Sequence, residues 1–352
     1  MSSAGLADRL ASRVLELVNV PSESRSEAAL AAHVLSVLSD ARDAGDSCIL
    51  AGTTARGDRP LILLAGHLDT VPAQGNLPGR LEDGVVYGLG AADMKAALGV
   101  MVELALTSLP AATVDVGFVF FGREELPFGD SALTPLLARE PGLREADLVV
   151  VMEPTDNALH AGCVGNVNAT WTFRGTAGHS ARPWLADNAI HRAGRGIAEL
   201  AALQPVDHEF AGLTFREVIS AVTIRGGVAR NVVPDECVVE INMRYAPGTS
   251  AADAEARLRA LCEPHGELTI DGNAPSGAVP EGNVLVSRLI DAGGLETAPK
   301  QAWTPVAEFA AAGVDAINFG PGAPRFAHRR DEQVEVAALV TSYETLVRFL
   351  CA

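Results

Sequence analysis

The chain has 352 residues, of which 48% are hydrophobic and 20% charged, and its formal net charge is −17. That composition describes a globular chain with room for two domains and excludes a disordered one. The acidic balance argues against nucleic acid and anionic membrane surfaces as partners, because both require basic patches.

Apolar residues at helical spacing predict a helix over 6–18, closed by Pro21, and a second over 27–38. Strands are expected at 48–51 and 61–65. The second of these, Leu61-Ile62-Leu63-Leu64, is an unbroken apolar run between Pro60 and Gly66. Such a run fits a strand buried on both faces of an α/β sheet. A glycine-rich passage, 84–95, leads into an Ala-, Leu- and Met-rich helix over 95–106. Residues 114–121 and 148–152 read as further buried strands, ending in Gly122-Arg123-Glu124-Glu125 and Glu153-Pro154-Thr155. Strands alternating with helices imply βαβ units and a mainly parallel sheet. From Gly165 the pattern changes. Residues 168–174 alternate as a half-exposed antiparallel strand does, followed by a helix over 187–203, strands at 217–224 and 237–244, a helix over 250–261 and a short strand near 267–270. That order predicts an α+β domain, 166–274, inserted into an α/β domain, 1–165 and 275–352. Residues 310–319 and a helix over 334–350 complete the α/β domain. The five cysteines are odd in number and contain no C-x-x-C, as core thiols of a reducing compartment would be. With no basic-then-apolar start and no apolar run of about 20 residues, the expected location is cytoplasmic.

Histidines and acids recur where strands end. His67 and Asp69, two apart, point the same way on an extended backbone. A metal ligand with its orienting carboxylate fits them, and so does a strand-end histidine hydrogen-bonded to a neighbouring Asp. Asp93, Glu124, Glu125, Glu153 and His328 follow in comparable settings. Glu124-Glu125 also fits a solvated pair at a helix N-terminus. If the strands are parallel neighbours, these groups meet at the carboxyl edge of the sheet, where α/β sheets bind ligands. His67, Asp93, Glu125, Glu153 and His328 would then hold two zinc ions, one His and one terminal carboxylate each, with a shared carboxylate between them. The same N/O set suits cobalt or manganese. Gly88-Leu89-Gly90 lacks the third glycine of a dinucleotide loop and follows a turn. His33, His160, His191, His208 and His265 have no comparable setting.

Six motifs stand in order: His67-Leu68-Asp69, Gly88-x-Gly-x-x-Asp93-Met94-Lys95, Glu124-Glu125, Glu153-Pro154-Thr155, Gly178-His179-Ser180 and Ala327-His328-x-x-Asp331-Glu332. Together they resemble the di-zinc amidohydrolases, a family that includes desuccinylases, deacetylases, aminoacylases and carboxypeptidases. Within it, the stretch Ala181 to His191, Gly226 to Pro234, and Asn318-Phe319-Gly320-Pro321-Gly322 are most similar to the succinyl-diaminopimelate desuccinylases. The resemblance implies two Zn2+ per chain, with Co2+ or Mn2+ as substitutes. His67 and Glu153 would hold one ion, Glu125 and His328 the other, and Asp93 would bridge them. It further implies that Asp69 orients His67, that Glu124 is the general base, and that the Asp93–Met94 peptide is cis. His179 would reach across a homodimer interface formed by the inserted domain, and Asn231 and Arg244 would hold a small N-acyl amino-acid substrate.

The chain also departs from the family. Leu89 stands where relatives often have Arg, and Arg123 where they have a small or acidic residue. In Trp303-Thr304-Pro305-Val306-Ala307-Glu308-Phe309, Pro305 and Glu308 replace the usual Asp and Arg. Glu308 is therefore expected to bind substrate and read its charge, with Arg123 or Arg325 as alternative cations for a substrate carboxylate. Three rival readings stand beside a desuccinylase: another activity of the family, a non-catalytic binding protein keeping the fold, and a nicotinamide oxidoreductase.

Overall fold

A computed structural model describes residues 3–352. Its contacts separate two compact units: one contains the chain up to Gly162 with Ala278–Lys300 and Thr304–Ala352, the other Cys163–Gly277 with Gln301–Trp303.

The first unit is built on an eight-stranded sheet in the order Arg42–Gly45, Cys48–Gly52, Asp115–Phe121, Leu61–His67, Leu148–Val151, Ala316–Asn318, Leu159–Ala161, Thr297–Pro299. The four central strands run parallel. Cys48–Gly52 joins them antiparallel on one side and Leu159–Ala161 on the other. The first two strands form a hairpin around Asp46 and Ser47, both at positive φ, the conformation that matches the twist of a tight hairpin. Every residue of Leu61–His67 is buried, because the strand has helices on both faces. Leu61, Leu63 and Ala65 pack in one cluster with Leu133, Leu136 and Leu137 of the Leu133–Arg139 helix and Phe309 of Val306–Ala311. On the opposite face, a Cβ added at Gly66 would meet Leu98 Cδ2 and Met94 Cε at 2.9 Å. Gly66 thus lets the Lys95–Ala105 helix lie against the strand just before His67. That helix packs with Ser3–Val18 and Val336–Cys351. The helices Leu133–Arg139 and Val284–Gly293 were not expected from the sequence; both are short, and Pro135 blurs the helical signal of the first.

The second unit is a five-stranded antiparallel sheet in the order Val206–Phe210, Leu213–Gly226, Glu236–Tyr245, Gly165–Arg174, Glu267–Ala274. Alternate residues of Gly165–Arg174, namely Val167, Ala169, Trp171 and Phe173, share a core with Val239, Ile241 and Met243 and with Ala193 and Leu258 of the helices Ala189–Ala202 and Ala251–Cys262. The Asn188 and Ser250 side chains cap these helices by accepting from His191 N–H and Asp253 N–H. This sheet contains one strand more than expected. Val206–Phe210 pairs with Leu213–Gly226 through Ala211-Gly212, both at positive φ. Its polar composition hides the alternation that marks strands. Gln301 explains why the 301–303 stretch packs with this unit and not with the first. Its amide donates to the Thr214 carbonyl at 3.0 Å and accepts from Arg216 N–H at 3.2 Å.

All five cysteines are thiols, four of them buried. Among the described residues, no helix is long and apolar enough to cross a membrane.

Candidate metal centre

The carboxyl ends of the parallel strands carry the acidic residues and His67 into one region of the first unit. His67 closes Leu61–His67, Glu124 and Glu125 follow Asp115–Phe121, and Glu153 follows Leu148–Val151. Asp93 lies in the loop before Lys95–Ala105, and its peptide bond to Met94 is cis. His328 comes from the turn after Pro324–Phe326.

The two oxygens of Asp93 face different histidines. Oδ1 is 3.1 Å from His67 Nε2, and Oδ2 is 3.4 Å from His328 Nε2. His328 Nε2 also lies 3.0 Å from Glu125 Oε1, and His67 Nε2 lies 3.8 Å from Glu153 Oε1. His67–Asp93–Glu153 and Asp93–Glu125–His328 each offer ligand atoms within 4.8 Å of one another, as does His67–Glu124–Glu125. Ligands about 2.0–2.2 Å from a tetrahedral zinc stand roughly 3.3–3.6 Å apart, so the first two groups have suitable spacing.

Electrostatics make the same demand. Two histidines are outnumbered by Asp69, Asp93, Glu124, Glu125 and Glu153. Burial, then the charge of Asp93, pushes Glu153 up to about 7. Its Oε1 is buried and accepts no hydrogen bond among the described residues. Glu124 is raised well above the usual carboxylate range by burial and then by Glu153. His328 is pushed up to about 10 by its hydrogen bonds to Asp93 and Glu125. Burial alone would lower His67, but the Asp93 hydrogen bond and the surrounding carboxylates outweigh it and raise it. A buried carboxylate oxygen with no hydrogen bond among like charges is costly, and bound cations are the ordinary remedy.

His67 Nδ1 donates to the backbone carbonyl of Asp69 at 2.9 Å, which directs Nε2 toward Asp93. The Asp69 carboxylate, expected to orient His67, stands 3.6 Å from His67 Nδ1 and also accepts from Glu124 N–H at 3.0 Å, Glu125 N–H at 3.1 Å and Ser24 O–H at 2.8 Å. Asp69 holds the turn that presents both glutamates, while its own carbonyl sets the histidine. The reason is chain geometry: the carbonyl is nearer the ring than the side chain, which the paired amides draw away.

For Glu308, expected to face substrate, the structure corrects the placement. This residue is 3% exposed, and its carboxylate accepts from Ser131 O–H, Thr134 N–H and Thr134 O–H. With its oxygens occupied inside the first unit, it anchors the start of the Leu133–Arg139 helix and is closed off from solvent. Arg123 is tied by two bonds to Asp46 and a third to the Asp130 carbonyl, and Arg325 is paired with Asp156. Leu89 is buried in the loop before Asp93.

His179, Asn231 and Arg244 belong to the second unit. His179 is exposed on the short strand Gly178–His179, paired with Val232–Val233. Its Nδ1 accepts from Ala181 N–H at 3.0 Å, so the neutral ring carries its proton on Nε2. Ser180 N–H donates to the Asn231 carbonyl at 3.0 Å. Arg244 is half-buried, with Nε donating to Asn242 Oδ1 at 3.0 Å. A cleft of about 420 Å³ in the same unit, lined by Leu203, Val206, Ile219 and Leu261, contains His208, Glu217 and Arg257. There Glu217 is neutralised by Arg257 and accepts from Ala246 N–H, and the cleft presents no reacting pair.

Sequence reasoning missed Ser24, which no motif marks, and the buried carboxylate of Glu332, which the His328-x-x-Asp331-Glu332 motif contained without indicating its partners.

Comparison with known proteins follows the same lines. Residues 63–352 match the model of Peptidase family M20/M25/M40. A Mycobacterium tuberculosis (strain H37Rv) protein bearing the provisional name succinyl-diaminopimelate desuccinylase DapE is 39% identical over 340 residues, 95% of this chain and 96% of that protein. The Corynebacterium glutamicum succinyl-diaminopimelate desuccinylase is 36% identical over 346 residues, 93% of this chain and 94% of that one. A crystal structure of a tripeptidase from Staphylococcus aureus aligns with a TM-score of 0.78 at 18% identity, covering 98% of this chain and 97% of that chain.

Proposed function

The chain belongs to Peptidase family M20/M25/M40, and on that premise we propose that it hydrolyses the amide bond of N-succinyl-L,L-diaminopimelate to succinate and L,L-diaminopimelate. The observation that carries the metal-dependent part of this reading is the Asp93 carboxylate, with one oxygen toward His67 and the other toward His328. His67 and Glu153 would hold one zinc ion, Glu125 and His328 the second, with Asp93 between them. Bound there, divalent ions supply Lewis acidity and lower the pKa of water.

The chain's own residues account for the rest. Glu124, raised by its buried and acidic surroundings, is suited to take a proton from water and return it to the departing amine. Asp69 keeps Glu124 and Glu125 in register through their backbone amides. His179, with its proton on Nε2, is suited to donate to the oxyanion of the tetrahedral intermediate, and we assign that donation to a partner chain's site in a homodimer. Asn231 and Arg244 would hold the substrate, Arg244 through a guanidinium whose Nε alone is engaged with Asn242.

Turnover of N-succinyl-L,L-diaminopimelate, N-acetylornithine and dipeptides, each with and without added zinc, tests the reading. The succinyl substrate should have the highest kcat/KM and lose turnover on chelation. A preference for another substrate would move the chain to a different activity of the family. No metal-dependent turnover of any of them would favour a binding protein.

A further inference from the structure

Glu332 follows His328 by four residues, is 2% exposed, and has no part in the roles above. Its Oε2 accepts from Gly90 N–H at 2.9 Å, and its Oε1 accepts from Ala92 N–H at 3.0 Å and Asp93 N–H at 2.9 Å. Three amides of the loop that presents Asp93 are therefore gathered on one carboxylate. Further backbone ties run from Leu89 N–H to the Asn76 carbonyl, from Ala91 N–H to the Gly88 carbonyl and from Lys95 N–H to the Gly90 carbonyl. Gly90 is at φ +78°, a conformation glycine reaches freely, and it turns the chain so that these amides point inward.

The other end of the strap is equally well held. The Glu332 carbonyl accepts from Gly88 N–H at 3.0 Å, and Gln333–Glu335 pairs with Val85–Tyr87. The His328 and Arg329 carbonyls accept from Gln74 and Asn76 side chains. Residues 328–335 and 88–93 are thus fastened to each other, and each segment supplies one end of the Asp93–His328 contact.

We propose that Glu332 is a positioning residue that sets the spacing between Asp93 and His328, and so the affinity of the centre for its metal ions. The inference rests on the metal reading above. A carboxylate can serve three amide donors at once, whereas a carboxamide has one acceptor atom and would turn an NH2 group toward a donor. Loss of a partner that orients a ligand commonly weakens metal binding roughly 10- to 100-fold.

The test is calorimetric titration of the metal-free full-length chain with Co2+, together with its visible absorption, for the parent, Glu332→Gln and Glu332→Asp. Thermal unfolding of the metal-free forms serves as the fold control. Glu332→Gln should bind Co2+ roughly 10- to 100-fold more weakly and with an altered spectrum, while its metal-free melting stays within a few degrees of the parent's. Should that variant be unfolded, Glu332→Asp decides, since it keeps the charge but withdraws it by one methylene and should also weaken binding. Isotherms and spectra superimposable on the parent's would overturn the inference alone. A parent chain that takes up no Co2+ would overturn the metal reading and this inference with it.

Discussion

At the scale of single residues, Glu124 and Glu308 show how similar burial serves different ends. Both are raised by burial, but Glu124 faces other acids, whereas Glu308 faces three donors. Glu124→Gln is expected to retain metal binding and lose kcat by roughly 10²- to 10⁴-fold, the usual contribution of a general acid–base group. Steady-state kinetics with a metal assay checks this, and kcat within threefold of the parent's would remove Glu124 as the base. Glu308→Arg is expected to destabilise the fold by about 3–5 kcal/mol, because it buries a cation against Thr134 N–H. Urea unfolding measures the loss, and a change below about 1 kcal/mol would mean that position 308 reaches solvent after all. The sign of the Glu308 titration is also testable. Its folded pKa lies above the ordinary 4.5, burial outweighing the hydrogen bonds from Thr134 and Ser131. Above that ordinary value the unfolded chain gives up the proton before the folded one, so this group's contribution to stability falls as pH rises into the raised range. Glu308→Gln lacks the titration, and its melting temperature should gain on the parent's as pH rises from 4 to 8. A difference that instead grows in the parent's favour would show that the hydrogen bonds outweigh burial.

Among the elements, the Leu61–His67 strand does most to build the site, because it delivers His67 from the middle of the parallel sheet. Leu63 is wholly buried within the cluster that contains Leu136 and Phe309. Leu63→Ala should cost about 2–5 kcal/mol, the transfer and cavity terms of a well-packed leucine. Denaturant unfolding of the metal-free chain measures it, and a cost under about 1 kcal/mol would mean that the sheet and its helices close over the gap. The loop over 88–93 contrasts with the strand. It is fastened by the Glu332 carboxylate in addition to the burial of Leu89, Ala91 and Ala92, so hydrogen bonds from a remote segment and packing hold it together.

For the whole molecule, ions at this centre would link segments far apart in the chain: His67, Asp93, Glu125, Glu153 and His328. Binding to the folded state alone stabilises by RT ln(1 + [L]/Kd), about 2.7 kcal/mol per site at a hundredfold excess over Kd. Chelation should therefore lower the melting temperature and zinc should restore it, whereas equal melting in both conditions would argue against a centre of any strength. Assembly has its own test. If His179 serves a partner chain, mixing a His179→Ala chain with a Glu124→Ala chain should recover activity from one intact site per heterodimer. No recovery from verified heterodimers would confine His179 to its own chain or remove it from the reaction.

What the amino-acid sequence determined by itself was the order of chemistry-bearing residues and the kind of strand that ends in them. An apolar run such as Leu61–Leu64 has few ways to be buried other than between two layers of helices, and the residues after it then emerge at the sheet's carboxyl edge. The tertiary structure decided matters that depend on distance. Which atom of Asp69 meets His67 turns on a difference between 2.9 and 3.6 Å, which spacing along the chain does not encode. Glu308 looked like a charge offered to substrate until Ser131 and Thr134, more than 170 positions earlier, were found holding it. Glu332 meets the amides of 90–93 across some 240 residues of chain. Hydrogen bonds between remote segments follow from packing, and packing is a property of the whole fold, not of any local pattern.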